Sequence, residues 1–506
     1  MENIVNSLFS ATLDGINAKT IEVEATLTKG LPSFSIVGLV SSDIQEARER
    51  TKSALLTNSF KFPPKRVTIN LSPSDIKKYG THFDLPMAIL IALHEENIAI
   101  RDIFVFGELG LDGRVKSSST LFPIVLSLKE QGVLKKAVVP KEAMRYLSYI
   151  NGIEFIAVDN LIEAIDIFKS GKFERSSYEK PKYGAERINI NGKDYLYKRE
   201  IDLNFLDIRG QIVAKRASLI AVAGMHNFIM EGSPGSGKSM IAKRLREILP
   251  PISEEEMLIV AKHQFLDGET PKFIPERPFR SPHHTSTSSS IFGGGTSRAK
   301  IGEVALADKG ILFFDELPHF SKNILEALRE PLQDRFVNIS RVNSKVKYSA
   351  DFMFIGAMNP CPCGNMLSKV RSCRCSDIDI KRYKNRLSDP FLDRIDIFVT
   401  MQEINRDDKS DISSEDMRDM VLIAFERQKR RGQKRLNGKL RESEVDIYCK
   451  MNEEAQDTLF FAIDRFGLSN RALDSIKKVA RTIADLDGAI LIKKSHIVEA
   501  ISYRKR

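Results

Sequence analysis

Two periodicities divide the chain. In the first third, Arg66-Val67-Thr68-Ile69-Asn70-Leu71 alternates polar with apolar, the period of a strand that buries one face, and Leu111-Asp112-Gly113 is a turn signal between further short runs. Residues 1–170 therefore read as an independent α+β domain. From Ser170 to Pro181 the composition turns polar and charged, so 171–202 is expected to be a linker. Between 203 and 402 the pattern changes to short apolar runs, within 227–231 and 351–357 and at 310–314, which suit strands buried on both faces of a parallel sheet, and 240–249 repeats apolar residues at helical spacing. Helical periodicity then dominates 403–506, at 417–425, 455–466 and 472–486.

Composition narrows the class without deciding it. A chain of 506 residues exceeds one hydrophobic core and should hold about three domains. No stretch approaches the ~18 uninterrupted apolar residues of a membrane helix, and Met1-Glu2-Asn3-Ile4 has no basic and apolar leader pattern, so no membrane partner and a cytoplasmic location are expected. The net charge of +10 favours a polyanionic partner, with solubility alone as the other reading. The acid-free basic run 427–441 either contacts phosphates or forms a hydrated face.

The chemistry concentrates at two places. Gly232-Ser233-Pro234-Gly235-Ser236-Gly237-Lys238-Ser239 fits G-x-x-x-x-G-K-[ST] at every fixed position, between an expected strand and an expected helix. Glycines let backbone N–H groups close on phosphate oxygens, the helix start adds its positive dipole end, Lys238 reaches the outer phosphates and Ser239 ligates magnesium. Hydrolysis also needs carboxylates at the end of a buried strand. Gly310-Ile311-Leu312-Phe313-Phe314-Asp315-Glu316 supplies them, with Asp315 expected on magnesium and Glu316 orienting or deprotonating the attacking water. The run 351–359 ends in Asn359, placed for a polar sensor of that water. Arg394, between Asp393 and Asp396, and Arg471, after Ser469-Asn470, are on residue type alone surface ion-pair residues.

Four of the five cysteines, Cys361, Cys363, Cys373 and Cys375, form C-x-C, nine residues, C-x-C. Clustered thiols in a cytosolic setting suit a structural zinc, with a reduced thiol cluster or a redox pair as alternatives; Lys369, Arg371 and Arg374 on the same insertion are placed to face DNA. Cys449, alone on a helical stretch, reads as a small core residue.

From end to end the chain resembles the YifB/ComM family of magnesium-chelatase-like AAA+ proteins. The likeness rests on 30–39 (GLPSFSIVGL), Phe83-Asp84-Leu85-Pro86, Gly107-Glu108-Leu109-Gly110, 277–285 (RPFRSPHHT) and 357–364 (AMNPCPCG). It implies an α/β fold with an AAA+ P-loop ATPase core at 203–402 carrying the Cys-rich insertion 361–375, an N-terminal Lon-protease-like, S5-type α+β domain at 1–170, and a C-terminal helical lid at 403–506. It makes Arg394 a trans-acting finger, Arg471 the second sensor arginine, and the assembly a homo-hexameric ring using ATP and Mg2+ on single-stranded and branched DNA. In that frame 336–348 reads as a β-hairpin turning at Asn343-Ser344, whose Arg341, Lys345 and Lys347 either grip a DNA backbone in the ring pore or are ordinary solubilising charges. His283 and His284 read as a pore or interface loop rather than a metal site.

Lon enzymes cut peptides with a serine and a lysine. Here Phe122 falls near the lysine position and Lys116 beside Ser117, Ser118 and Ser119 is the remaining nucleophile candidate, so the domain is expected to be proteolytically inactive, a scaffold that binds DNA or caps the ring. The resemblance implies an ATP-dependent DNA motor promoting branch migration, during natural transformation. A magnesium-chelatase-like chaperone for metal insertion or protein remodelling is the second class, and an ATP-dependent protease the third.

Overall fold

The computed structural model describes residues 6–96, 103–178, 185–294, 300–340, 345–368, 370–403, 408–467 and 469–504. It is a mixed α/β chain that divides into two compact units, 1–182 with 261–273 and 340–347, and 183–260 with 274–339 and 348–506.

In the first unit a seven-stranded sheet runs in the order Ser33–Val37, Arg66–Ser72, Asn17–Thr28, Asn6–Asp14, Ile103–Val105, Lys136–Pro140, Glu154–Val158. Its first half contains antiparallel pairs and its second half is parallel. The expected alternation is present: Val67, Ile69 and Leu71 are fully buried while Arg66, Thr68 and Asn70 are not. The helix Asp84–Ala92 is buried from Asp84 to Ile91, the pattern of a central helix. Phe122, the residue read as falling near a Lon lysine position, is fully buried, its ring 5.0 Å from Phe265 and 5.4 Å from Phe273. Ser117 Oγ is hydrogen-bonded to the Tyr146 hydroxyl.

The second unit is built on a five-stranded parallel sheet ordered Phe279–Arg280, Ile311–Phe314, Met353–Met358, Phe228–Glu231, Ile397–Thr400. Ile311–Phe314 and Met353–Met358 are buried at every position, as their unbroken apolar sequences require. The helices Ser414–Arg430, Glu453–Phe466, Asn470–Leu486 and Lys494–Ser502 contain the three expected periodic stretches. Ser413, Asn452 and Ser469 cap three of these helices through their side chains, and Val421, Leu459, Ile476 and Ile483 join the sheet residues in one core. Among the described residues no helix is long and apolar enough to cross a membrane.

The stretch read as a linker is partly ordered: Ala185–Ile190 and Lys193–Lys198 pair as a hairpin, and Lys193–Lys198 pairs on to Ile252–Ser253. The cause is local. Asn191 and Gly192 take φ of 52° and 78°, the left-handed pair that closes a two-residue turn, and Asn-Gly was the signal for it.

Candidate nucleotide site and its surroundings

The P-loop leaves the C-terminal end of the inner strand Phe228–Glu231 and enters the helix Lys238–Leu245. Gly235 and Gly237 have φ of 80° and 93°, conformations that a side chain would strain. Lys238 Nζ donates to the carbonyls of Gly232 (2.7 Å) and Ser233 (3.0 Å) and to Asn359 Oδ1 (3.2 Å). Burial lowers its pKa, so its charge sits where an anion would be welcome. Ser233 Oγ and Ser236 Oγ are buried with no hydrogen-bond partner among the described residues, which suits a loop shaped for an oxygen-rich ligand.

The adjacent strand brings its carboxylates to the same edge of the sheet. Ser239 Oγ donates to Asp315 Oδ2 at 2.8 Å, so the two residues read as magnesium ligands touch each other. Hydroxyl and carboxylate oxygens fit the hard-ligand preference of that ion. Glu316 follows in a left-handed conformation (φ 51°) with its side chain exposed, and His284 Nδ1 lies 3.5 Å from its Oε2. His284 also packs near His319, ring centres 5.9 Å apart, so the His283-His284 loop reaches the acidic pair, a placement that residue type alone did not reveal.

Arg394 and Arg471 are brought together. Both guanidinium groups donate to Gln333 Oε1, at 2.6 and 3.2 Å, and Arg394 also donates to the carbonyls of Arg329 (3.1 Å) and Pro390. Burial, with Arg471 and Arg329 nearby, lowers the Arg394 pKa. Sequence reasoning missed the residues that set this geometry. Asn227 Nδ2 donates to the Arg394 carbonyl at 2.9 Å; Asp396 accepts from the Asn227 amide at 3.0 Å and from Ser475 Oγ at 2.6 Å, tying the arginine turn to the helix that bears Arg471. A second missed feature is a cavity of about 850 Å³ lined by Gly210, Gln211, Val213, Glu231, Thr400 and Tyr503. Gln211 Nε2 donates to the Ser236 carbonyl at 3.2 Å, which joins this cavity to the P-loop.

The cysteine sulfurs all lie within 4.8 Å of one another, and Cys361, Cys363 and Cys373 are 3.5 to 3.6 Å apart. Zinc–sulfur bonds of about 2.3 Å in a tetrahedron put sulfurs about 3.8 Å apart, so the four thiols fit that ion closely. Backbone N–H groups of Asn365 and Arg374 lower the Cys363 thiol to about 6, while Cys373 and Cys375, against opposing backbone hydrogen bonds, are raised by burial and the neighbouring thiols. The cluster is tied to the P-loop: a Cβ on Gly364 would come 2.6 Å from the Pro234 ring. Cys449 is buried, as read.

The residues read as DNA contacts are less fully placed. Arg341 and Lys369 lie outside the described residues, as does the Lys345 side chain. Lys345–Ser349 pairs with Phe336–Ser340 in a two-stranded sheet, and Lys347 is exposed between buried Val346 and Tyr348. Much of the basic run 427–441 is engaged within the fold, while Arg430, Lys434 and Arg441 are exposed. Arg427 donates to the Asp485 carbonyl, Arg431 and Arg435 pair with Asp485 and Glu444, and Lys439 donates to the Phe352 carbonyl at 2.6 Å. Burial pushes the Lys439 ammonium down to about 8. Arg427, Arg431 and Arg435 link C-terminal helices and a connecting loop to one another, and Lys439 links them to the start of the strand Met353–Met358.

Comparison with known proteins places the chain. A family model described as "Magnesium chelatase, subunit ChlI" matches residues 204–409, "Subunit ChlI of Mg-chelatase" matches 23–143, and "Magnesium chelatase, subunit ChlI C-terminal" matches 411–504. The chain is 35% identical to competence protein ComM of Haemophilus influenzae over 98% of its own length and 97% of that protein. It is 35% identical to YifB of Escherichia coli over 97% and 95% of the two chains. The 67 kDa magnesium-chelatase subunit of Heliobacterium mobile is 23% identical over 30% of this chain and 27% of that one.

Proposed function

Since the chain belongs to the ComM/YifB family of magnesium-chelatase-like proteins, we propose that it is an ATP-driven, hexameric DNA motor that promotes branch migration in homologous recombination. The observation that carries the ATPase part is the meeting of Lys238, Ser239, Asp315 and Asn359 at one edge of a parallel sheet, Lys238 3.2 Å from Asn359 and Ser239 2.8 Å from Asp315. In this reading Gly232 to Ser239 cradle the phosphates and Lys238 exchanges its carbonyl partners for phosphate oxygens. Ser239 and Asp315 hold magnesium, which neutralises charge on the phosphates. Glu316 accepts the proton of the attacking water and Asn359 orients it. The cavity beside Gln211 takes the nucleoside.

Arg394, which shares Gln333 with Arg471, is the finger offered to the nucleotide of a neighbouring subunit, so hydrolysis requires the ring, and Arg471 is the second sensor arginine from the helical lid. The DNA part rests on the full-length likeness to a competence protein, and with it go natural transformation, a cytoplasmic location and the grip of Arg341, Lys345 and Lys347. The first unit is read as an inactive Lon-like domain, in keeping with buried Phe122, and the C-terminal helices as the lid. The four cysteines hold a structural zinc that pins the insertion against the P-loop.

Strand exchange on a synthetic three-stranded junction, run with DNA-stimulated ATPase across a salt series, tests the reading. The parent should move the junction, and the double substitution Lys345→Ala with Lys347→Ala should bind ATP yet lose coupling to DNA, with a shallower salt slope. A parent that neither moves junctions nor is stimulated by DNA at low salt would leave the metal-insertion or remodelling chaperone as the reading. An active parent with an equally active double variant would keep the motor and remove this hairpin as its grip.

A further inference from the structure

A cavity of about 710 Å³ opens beside the acidic pair, between the Leu317–His319 turn and the helix Asp377–Lys384, in a place that none of the nucleotide-site residues occupies. Lys322, Lys381, Arg382 and Arg386 line it together with His319 and Asn385. Four permanent cations and no acid line this cavity. Lys322, Lys381 and Arg382 are exposed and make no ion pair among the described residues. The nearby acids lie outside the lining and are partly engaged elsewhere: Asp379, whose pKa Ser376 and then Arg382 help to lower, accepts from Ser376 Oγ at 2.7 Å through Oδ2, Asp377 is exposed at the helix start, and Glu326, one turn from Lys322, is held by Ser388 and Arg329. Such an arrangement leaves a net positive lining that attracts an anion, and it is anchored at both sides. Ser376, which starts the helix, directly follows Cys375 of the thiol cluster, and Arg386 Nη1 donates to the Pro318 carbonyl at 2.9 Å.

We infer that this cavity is a second nucleic-acid site, which takes the phosphate backbone of a single strand. The inference rests on the DNA reading above and extends it to a surface separate from the hairpin. Phosphodiester oxygens would be held by Lys322, Lys381 and Arg382, with Asn385 as a neutral donor, and bases would face outward unread, so binding is sequence-independent. The site has a route to hydrolysis. The His319 amide donates to the Glu316 carbonyl at 2.7 Å, so one wall of the cavity is continuous with the turn that aims Glu316. Strand occupancy restrains that turn, and DNA stimulation of the ATPase passes through it.

The test uses the full-length protein and a fluorescent oligothymidylate. Lys381→Glu with Arg382→Glu should weaken binding by about ten- to a hundredfold at moderate salt, flatten the log-affinity against log-salt slope by about 1.4 for two lost phosphate contacts, and abolish DNA stimulation. Lys381→Arg with Arg382→Lys should restore all three. Thermal melts followed by circular dichroism confirm that each variant folds. Lys450→Glu with Lys494→Glu, which reverses two exposed charges elsewhere and so matches the change in net charge, should change little. Parent-like binding and slope in the charge-reversed variant, while the parent binds DNA normally, would overturn the site and leave the motor standing. Equal weakening by the Lys450 and Lys494 control would do the same by showing a net-charge effect. Displacement of the oligonucleotide by inorganic phosphate at constant ionic strength would show a free-phosphate site instead. A parent that binds no DNA would overturn both this inference and the motor.

Discussion

Replacing Asp396 by asparagine tests whether one buried carboxylate holds the two arginines in place. Its side chain is 14% exposed; Oδ2 accepts the Asn227 amide at 3.0 Å, Oδ1 accepts Ser475 Oγ at 2.6 Å, and His226 Nδ1 stands 3.5 Å from Oδ2. Burial opposes its ionisation, but His226 and Ser475 outweigh that and hold the carboxyl below the usual carboxylate range. An asparagine can accept from only one of the two donors and turns its own N–H₂ toward the other. A hydrogen bond to a charged group contributes about 1.5–3 kcal/mol, so losing one and opposing a donor to a donor should cost about 3 kcal/mol. The chain has no tryptophan, so urea unfolding is followed by circular dichroism. The pH dependence has a definite sign. A carboxyl with a depressed folded-state pKa contributes its full stability above the unfolded value of about 3.9 and loses it progressively as pH falls from there through the folded value, so the gap between parent and variant should be full near pH 7, begin to shrink below about pH 4 and close only in stronger acid. Because Asn227 also holds the Arg394 carbonyl and Ser475 shares a helix with Arg471, ATP hydrolysis should fall by about tenfold through misplacement. A stability difference under about 1 kcal/mol near pH 7, or one that does not shrink as the solution is acidified to about pH 3, would refute the anchoring role.

Three other outcomes follow from the site. Lys238→Ala should lose nucleotide binding, because it removes the phosphate-facing charge, whereas Glu316→Gln should bind ATP and stall; near-parent hydrolysis by Glu316→Gln would remove it as the water-activating carboxylate. Arg394→Ala and Glu316→Gln subunits, each inactive alone, should recover activity when mixed, since some interfaces then join an intact arginine to an intact carboxylate; no recovery at any ratio, with rings confirmed by native mass spectrometry, would make Arg394 an intramolecular residue or require concerted firing. Protein purified without chelators should carry about one zinc per chain with sulfur neighbours at about 2.3 Å by X-ray absorption, and Cys373→Ser should destabilise the insertion while sparing ATP binding; metal below about a tenth of an equivalent would leave a reduced thiol cluster.

What could be read from the sequence alone was whatever the chain encodes locally. The P-loop spacing fixes glycines that reach φ of 80° and 93°, the unbroken apolar runs fix strands buried on both faces, and C-x-C repeated after nine residues brings four sulfurs within 4.8 Å. Even the overlooked hairpin at 185–198 had its local sign in Asn191-Gly192. Tertiary structure alone decided what non-local packing decides. The basic run 427–441 carries the same charge pattern whether it faces DNA or its own fold, and only the buried Asp485 and the Phe352 carbonyl show where those charges go. Asp396 reads as one of two acids flanking an arginine until residues 169 and 79 positions away close on it. The cavity at Lys322, Lys381 and Arg382 joins segments some sixty residues apart. Hydrogen bonds and charges act over a few ångströms, so where such partners are distant along the chain, the sequence names the chemistry and the fold chooses the partner.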